Sequence, residues 1–321
     1  MKKTVLAIAF ILAGIASALA QPYPLRPITM IVPFPAGGIT DIIARLVADR
    51  MRTSLGQPVI AENVGGAGGT IGVTRLYRSA PDGYTIGIGQ WTSNVGGSAM
   101  YQLPFDVQTD LQPISMLSIG TQWIIGRKDL PVQNLKELIA WLKAHPKTTA
   151  GTVGAGSGIH MCLIYFASKT GVELQFVPYR GGAPLMQDLV SGQIDISCPE
   201  AGQTLPQYRA GTIKAFGVMN EKRWFAASEV PTVGEGGVPD VKFPFWHGLW
   251  APKDTPKDIV EKLNAAVVET LADPVVRKRL TDLGHDVAAR EQQTPAALAA
   301  YFKAEIDKWW PIIRAANIKA E

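Results

Sequence analysis

Ile28-Thr-Met-Ile-Val-Pro-Phe-Pro-Ala-Gly-Gly-Ile-Thr-Asp41 is the stretch that decides the fold of this 321-residue chain. Its first five residues, Ile28–Val32, are apolar and mostly β-branched, which is typical of a strand buried on both faces. After the turn, apolar residues recur at helical spacing and predict a helix from about Asp41. Gly37 and Gly38 allow the backbone to approach a bound group, and the free N–H groups of the helix start favour a carboxylate or phosphate there. The stretch therefore predicts an anion-binding turn.

The chain begins with a segment typical of an export signal. Lys2-Lys3 precedes an apolar run from Val5 to Ala16, and Ala18-Leu-Ala20 supplies a small-residue cleavage site. An uncleaved anchor is the weaker alternative, because the run is shorter than the roughly 20 apolar residues of a spanning helix. We therefore expect cleavage after Ala20 and a soluble periplasmic protein. Its formal charge then falls from +4 to +2, because two lysines leave with the signal.

Composition argues against two classes of function. The small net charge and the lack of a clustered basic stripe with interleaved aromatics predict no nucleic-acid partner. Four histidines, at positions 145, 160, 247 and 285, show no metal-ligand spacing, so we expect neither a metal nor a cofactor. Cys162 and Cys198 are the only cysteines. An oxidising compartment permits a disulfide between them, and two buried free thiols are the alternative.

Strand and helix patterns alternate along the chain, which predicts an α/β protein with mostly parallel sheets flanked by helices. The length suffices for two lobes, each with its own core. The predicted strands of the first lobe are Ile28–Val32, Val59–Glu62 and Tyr84–Ile88, and those of the second are Thr148–Val153, Glu173–Val177, Ile194–Ser197 and Ile213–Met219.

Two apolar, aromatic segments, Ser115–Arg127 and Val241–Ala251, are interpreted as strands that cross between the lobes and allow a hinge. From Thr255 onward the pattern is helical, and we expect these helices to pack back on the first lobe. The predicted division is residues 21–122 with 247–321 for lobe 1, and residues 123–246 for lobe 2. A cleft would then lie between the lobes.

Several ordered motifs in this chain are shared with a known family: Arg26-Pro-Ile-Thr-Met-Ile-Val-Pro-Phe-Pro-Ala-Gly-Gly-Ile-Thr-Asp41, Gly66-Ala-Gly-Gly-Thr-Ile-Gly72, Pro81-Asp-Gly-Tyr-Thr85, Gly156-Ser-Gly-Ile-His160 and Pro178-Tyr-Arg-Gly-Gly182. The chain resembles the tripartite tricarboxylate transporter receptors, also called Bug solute-binding proteins, over essentially its whole mature length. The resemblance implies a two-lobed periplasmic binding protein type II fold and no enzymatic activity. It also implies that an organic carboxylate is captured in the cleft and delivered to a two-component integral membrane permease. We expect a monomer.

The resemblance also implies where the ligand binds. The family's first loop maps to Phe34, Ala36, Gly37, Gly38, Thr40 and Asp41, its second loop to Gly68, Gly69 and Thr70, and the opposite helix start to Ser157, Gly158 and His160. The two loops hold one ligand carboxylate, partly through ordered water. Such a site needs no arginine, because charge-assisted hydrogen bonds contribute roughly 1.5–3 kcal/mol each.

Several of these residues have a second interpretation. Asp41 fits a helix cap better than a ligand contact, because its carboxylate repels an anion while it stabilises the helix start. Thr40 and Thr70 are either caps only or direct contacts. Arg180 either clamps a second carboxylate or is a solvated turn residue. Asp195 is a candidate site residue whose alternative role is to orient a loop.

Trp91 distinguishes this chain from the family, which has small or polar residues after the strand that follows Pro-Asp-Gly-Tyr. Here Gln90-Trp-Thr-Ser-Asn94 follows that strand, so Trp91 and Thr92 are candidate ligand contacts. An aromatic contact adds roughly 0.5–1.5 kcal/mol beyond burial and favours a flat partner. We therefore favour an aromatic carboxylate, with an aliphatic di- or tricarboxylate as the alternative. Packing of Trp91 in the core is the competing interpretation.

A secreted hydrolase is the main competing function class, with Ser157 as nucleophile and His160 as base. The sequence argues against it, because Gly154-Ala-Gly-Ser-Gly158 is not G-x-S-x-G and no third group orients the histidine. His160 is instead either a donor that faces the ligand or a histidine on the helix surface. A receptor of this kind that signals to a sensor kinase remains a further alternative.

Overall fold

The computed structural model of the chain describes residues 23–243 and 245–315, so the expected export signal lies outside the described residues. The strands within them are β1 (Ile28–Val32), β2 (Val59–Asn63), β3 (Thr85–Gln90), β4 (Leu111–Gly120), β5 (Trp123–Arg127), β6 (Thr149–Thr152), β7 (Gln175–Pro178), β8 (Ile196–Ser197), β9 (Ile213–Val218), β10 (Phe245–Pro252) and β11 (His285–Val287).

The α-helices of the same ranges are α1 (Ile39–Leu55), α2 (Thr70–Tyr77), α3 (Gly97–Met100), α4 (Leu135–Ala144), α5 (Gly158–Thr170), α6 (Gly182–Val190), α7 (Ala201–Arg209), α8 (Lys257–Ala272), α9 (Pro274–Asp282) and α10 (Pro295–Ala315). A 3₁₀ turn at Ala67–Gly69 precedes α2, and a π-helical turn at Trp91–Gly96 follows β3. None of the described helices combines the length and apolar character needed to cross a bilayer.

The strands form two sheets, as the alternating pattern predicts. The first has the order β11-β4-β10-β3-β1-β2, and the second has the order β7-β6-β8-β5-β9. Each sheet is parallel in one part only: β1 pairs in parallel with β2 and β3, and β6 pairs in parallel with β7 and β8. The remaining pairs are antiparallel, so the expectation of mostly parallel sheets holds for about half of each sheet. The antiparallel pairs of the first sheet all involve β4 or β10, and those of the second sheet all involve β5. These three strands adjoin the crossings between the sheets.

The predicted crossing strands need a correction. The segment Ser115–Arg127 is not one strand, because β4 belongs to the first sheet, β5 belongs to the second, and Thr121-Gln122 connects them. The return crossing is a long connection after β9, and β10 lies wholly in the first sheet from Phe245. An isolated antiparallel bridge pairs Gln122 of this connection with Glu200, the residue before α7. Neither crossing between the sheets is therefore a continuous strand.

The core of the first sheet confirms the periodicity read from the sequence. Ile28 and Met30 on β1, Ile43 and Val47 on α1, and Leu263 on α8 are all 0% exposed. Helix α8 packs on α1 and β4, and α10 also packs on β4, so the C-terminal helices do return to the first sheet. Burial of this kind contributes about 25 cal/mol per Å² of apolar surface and fixes the position of α1 against the sheet.

Cys162 and Cys198 form a disulfide with a Cα–Cα distance of 6.1 Å. The sequence left this bridge and two free thiols as alternatives, and the structure selects the bridge. It joins α5 to the residue directly after β8, and both cysteines are fully buried. The bridge therefore fixes the position of α5, whose first residues line the cleft described below.

Candidate functional site

A cleft of about 590 Å³ lies between the two sheets. It is lined from the first sheet's side by loops after β1, β2 and β3, and from the second sheet's side by the starts of α5, α6 and α7. Of the sixteen residues predicted from the sequence, nine line it: Phe34, Ala36, Gly38, Thr40, Gly68, Thr92, Ser157, Gly158 and Arg180. The volume lies within the range of about 300–1,000 Å³ that is typical of small-molecule sites.

The turn between β1 and α1 has the predicted form. Gly37 has φ +84°, a backbone conformation that strongly favours glycine. Gly38 is the N-cap of α1 with φ −76° and ψ 166°, and it brings no side chain to cap the first turn. The N–H groups of the first turn therefore keep their hydrogen-bonding capacity, and the positive end of a 17-residue helix faces the cleft. This arrangement suits an anion.

Asp41 supports this turn and does not line the cleft, so the structure does not place it as a ligand contact. Its carboxylate accepts the Gly37 N–H at 2.9 Å, Asn63 Nδ2 at 2.9 Å and Arg45 Nε at 3.1 Å. Burial raises the pKa of Asp41, but the hydrogen bonds from Arg45, Gly37 and Asn63 outweigh it, so the pKa is lowered from its usual value. The charged carboxylate thus fastens the loop to the helix.

Replacing Asp41 by alanine is expected to destabilise the protein by about 2–3 kcal/mol, because the Gly37 and Asn63 donors lose their acceptor. Arg45 is half exposed and contributes little to this loss. Since the folded-state pKa of Asp41 is lowered, its contribution is complete above the pKa of the unfolded chain and disappears as pH falls through the folded-state pKa. Urea unfolding at neutral and acidic pH measures both effects, and a variant as stable as the wild type at neutral pH would contradict them.

Only Gly68 of the second predicted loop reaches the cleft. Gly69 has φ +93° and packs so closely on the Phe34 ring and Ser93 that a Cβ there would approach them to 3.2 and 2.7 Å. The Thr70 hydroxyl donates to the Ala67 carbonyl at 2.7 Å, which makes it a local turn contact. Gly69 and Thr70 therefore shape the loop, and the close packing on Phe34 explains why a glycine is required.

Thr40 lines the cleft and contacts a histidine that sequence reasoning did not assign to the site. Its Oγ1 lies 3.1 Å from Nε2 of His247, which is on β10 and fully buried. Burial, with a smaller contribution from neighbouring His285, holds the pKa of His247 well below its usual value. The neutral ring therefore serves to orient the Thr40 hydroxyl at the floor of the anion-binding turn.

On the opposite wall, Ser157 and Gly158 lie at the start of α5 as predicted, but His160 does not line the cleft. The His160 N–H donates to the Ser157 hydroxyl at 3.3 Å, and the ring accepts the Gly156 N–H through Nδ1 at 3.0 Å. The ring also packs edge-on against Phe176, and burial lowers its pKa. The Ser157 hydroxyl thus caps α5. The His160 imidazole supports the loop and does not act as a base for Ser157.

Arg180 and Asp195 have different positions. Arg180 is exposed and lines the cleft, where its guanidinium is available for a second anionic group. Asp195 lies away from the cleft, where it pairs with Arg127 at 2.8 Å and accepts the Thr149 N–H and hydroxyl. Burial raises the pKa of Asp195, but these hydrogen bonds outweigh it and the pKa is lowered. Asp195 therefore has the loop-orienting role that was its alternative.

Trp91 lies in the core, so the prediction that it faces the ligand is wrong. The side chain is 0% exposed, and its ring packs edge-on against Phe243 and Trp309 at centroid distances of 4.8 and 5.4 Å. The π-helical turn directly after β3 directs the indole beneath α10 and leaves neighbouring Thr92 on the cleft side. The sequence alone could not show on which side of this turn the indole lies.

Other cleft residues were missed by sequence reasoning. They include polar and aromatic side chains at the ends of strands and helices and in the connection between β4 and β5: Gln90, Tyr101, Gln122, Tyr179, Glu200, Gln203 and Phe245. Gln90 reaches the cleft because β3 extends beyond its predicted end at Ile88. Tyr179 lies directly before Arg180 in the motif Pro178-Tyr-Arg-Gly-Gly182, so its place beside a predicted site residue could have indicated that it lines the cleft.

Comparison with known proteins agrees with this geometry. The family model described as the tripartite tricarboxylate transporter family receptor matches residues 43–318. The chain is 34% identical over 311 residues to BugT of Bordetella pertussis, covering 96% of this chain and 94% of BugT. Its structure resembles that of MatC from Rhodopseudomonas palustris with bound malate, with a TM-score of 0.81, 35% identity and coverage of 91% of this chain and 100% of MatC.

A second R. palustris protein, solved with adipate, superposes with a TM-score of 0.82 at 31% identity, covering 92% of this chain and 99% of that protein. These matches span nearly the whole chain and show a two-lobed binding-protein fold. They also show a substrate-binding receptor and no enzyme, in agreement with the helix-capping role of Ser157. The chain belongs to the tripartite tricarboxylate transporter receptor family, which includes the Bug periplasmic solute-binding proteins.

Proposed function

We propose that this protein captures an organic carboxylate in the cleft outside the cytoplasm and delivers it to a two-component integral membrane permease. The observation that carries the proposal is the uncapped start of α1 at Gly38, which faces the cleft beside Gly68. Several N–H donors converge there, and charge-assisted hydrogen bonds to a carboxylate are stronger than neutral ones. The family's permease partnership supports the second half of the proposal.

The two walls of the cleft suggest how the ligand is enclosed. The carboxylate docks at the start of α1, and Arg180 with the start of α5 approaches the distal end of the ligand when the lobes close. We place the lobes at residues 21–122 with 247–321 and at residues 123–246. The change of sheet between β4 and β5 at Thr121-Gln122 supports the first boundary. Ligand binding then shifts an open–closed equilibrium, and the closed monomer is the form that the permease recognises.

The ligand class is open to two candidates. Because Trp91 lies in the core, the aromatic preference inferred from the sequence now depends on Phe34, Tyr101, Tyr179 and Phe245, which do line the cleft. Aliphatic dicarboxylates are supported by the malate and adipate of the two solved relatives. Arg180 offers a second anionic group its counter-charge, and on balance we favour an aliphatic dicarboxylate skeleton.

A thermal melting scan across aliphatic, aromatic and amino-acid carboxylates tests this function. At a ligand concentration one hundredfold above the dissociation constant, binding to the folded state adds about 2.7 kcal/mol to the free energy of unfolding. We expect such stabilisation from at least one carboxylate and none from its neutral amide, which serves as the matched control. The proposed function would be contradicted if an acid and its amide stabilise the protein equally, or if no acid in the panel stabilises it.

A further inference from the structure

We propose that Glu200 makes the floor of the cleft a subsite for a hydrogen-bond donor, so that the protein selects carboxylates that also carry a hydroxyl or ammonium group. This inference rests on the proposed function and specifies its substrate class. Among the described residues that line the cleft, Glu200 is the one acidic side chain and Arg180 the one basic side chain. A carboxylate is an unexpected feature in a site for anions, because it repels them unless a donor lies between the charges.

The main chain fixes Glu200 at the crossing between the sheets. It forms an antiparallel bridge with Gln122, and the next residue, Ala201, donates its N–H to the Thr121 carbonyl at 2.7 Å. Residues paired in this way share one face, so the Gln122 and Glu200 side chains stand side by side on the cleft floor. The main chain therefore holds Glu200 at the crossing between the two sheets, on the floor of the cleft.

A hydrogen bond to a buried histidine also orients the Glu200 carboxylate. Its Oε2 lies 3.1 Å from Nε2 of His285, whose Nδ1 lies 3.3 Å from the Ser118 hydroxyl. We assign the Nε2–H as the donor, because a carboxylate only accepts, and Nδ1 then accepts from Ser118. His285 is 1% exposed and Glu200 has a side chain 10% exposed, so the contact is nearly buried. Oε1 has no hydrogen-bond donor among the described residues and remains for the ligand.

Glu200 belongs to a different part of the cleft lining from the groups that suit an anion. The carboxylate does not cap its own helix, α7, and Gln203 lies one turn further along it on the same wall. The anion-binding elements, namely the start of α1 and Arg180, are contributed by other loops. Because the start of α1 and Glu200 line the same cleft, a ligand held at α1 by its carboxylate can present a hydroxyl or ammonium substituent to Glu200, which accepts from either.

Isothermal titration with two matched ligand series tests this subsite. Each series holds a parent acid, its hydroxy derivative and its amino derivative: succinate, malate and aspartate, then 3-phenylpropionate, 3-phenyllactate and phenylalanine. In a series whose members bind, we expect the affinity of the hydroxy or the amino derivative to exceed that of the parent acid by about tenfold or more. One hydrogen bond to a charged group implies a difference of this size. Parents that bind as tightly as both derivatives would overturn the inference, and they would leave the receptor function intact.

Glu200→Gln separates the contributions of charge and hydrogen bonding. The glutamine keeps one acceptor oxygen for His285 and turns its NH2 group toward the ligand, where a hydroxyl can accept a hydrogen bond and an ammonium cannot. We therefore expect the preference for the hydroxy acid to fall modestly. Preference for the amino acid is expected to fall by at least about tenfold, and the parent acid should bind as well or better because a like charge is removed. Equal shifts for all three members would overturn the role of Glu200.

The matched control is Glu291→Gln, which makes the same chemical change at an exposed position outside the cleft. It should leave all affinities unchanged. A melting curve of each variant establishes that it is folded. The comparison of parent acids with their derivatives uses the wild-type protein, so that test does not depend on any variant. If no member of either series binds the wild type, this inference is overturned, whereas the proposed function fails only if no carboxylate of the wider melting scan binds.

Discussion

A Gly38→Asp variant is expected to lose carboxylate affinity by at least about 100-fold while its folded state remains as stable as that of the wild type. The new carboxylate would occupy the N-cap of α1 and accept the same N–H groups that the ligand needs. Aspartate is among the preferred N-cap residues, so the helix gains an acceptor and does not lose one. Two lost charge-assisted hydrogen bonds, at roughly 1.5–3 kcal/mol each, correspond to 100-fold or more in affinity.

The backbone at Gly38 permits this substitution. Its φ is −76°, and a Cβ added there would meet only the Pro35 carbonyl oxygen at 3.6 Å, an ordinary contact. Gly38→Ala is the control, because it adds the Cβ without an acceptor and should retain most of the affinity. Calorimetry measures binding and thermal melting measures stability. An Asp variant that binds carboxylates with wild-type affinity would show that the anion lies elsewhere.

Trp91→Ala is expected to destabilise the protein by about 3–5 kcal/mol, the range observed when a large buried aromatic side chain is removed. The indole is completely buried and forms edge-on contacts with Phe243 and Trp309. Its removal leaves a cavity between the π-helical turn and α10, and these elements cannot collapse into it without losing their own contacts. Chemical denaturation of wild type and variant measures the difference.

The ligand specificity is not expected to depend on Trp91. Trp91→Phe retains an apolar ring in the core and is the variant on which binding is compared, because the alanine variant is less stable. We expect its ranking of aromatic and aliphatic carboxylates to equal that of the wild type. A stable Trp91→Ala protein with an altered ranking would place the indole at the ligand and contradict its position in the core.

The parts of the site that the sequence predicted are those fixed by neighbouring residues. The strand Ile28–Val32, the positive φ of Gly37 and the open start of α1 are local consequences of an apolar run, two glycines and a helical period. The cap of α5 by Ser157 was not predicted, although it is equally local, because serine accepts an N–H three residues later. Such features depend little on the rest of the chain.

The features that the sequence did not predict depend on contacts between distant residues. Glu200 meets His285 across 85 positions of the chain, and Thr40 meets His247 across 207. No local pattern brings these residues together, because the sheet order that does so is set by the crossing strands. Trp91 was misplaced for a related reason, since the packing of α10, more than 200 residues later, determines which side of its turn is buried.

The central claim is that backbone N–H groups at the start of α1 bind the ligand carboxylate, and a crystal structure tests it most directly. The protein would be crystallised with the carboxylate that stabilises it most in the melting scan. We predict a carboxylate within hydrogen-bond distance of the N–H groups at residues 38–40, directly or through one water, with the second lobe closed over it. A ligand bound outside the cleft, or with its carboxylate turned away from α1, would contradict the account.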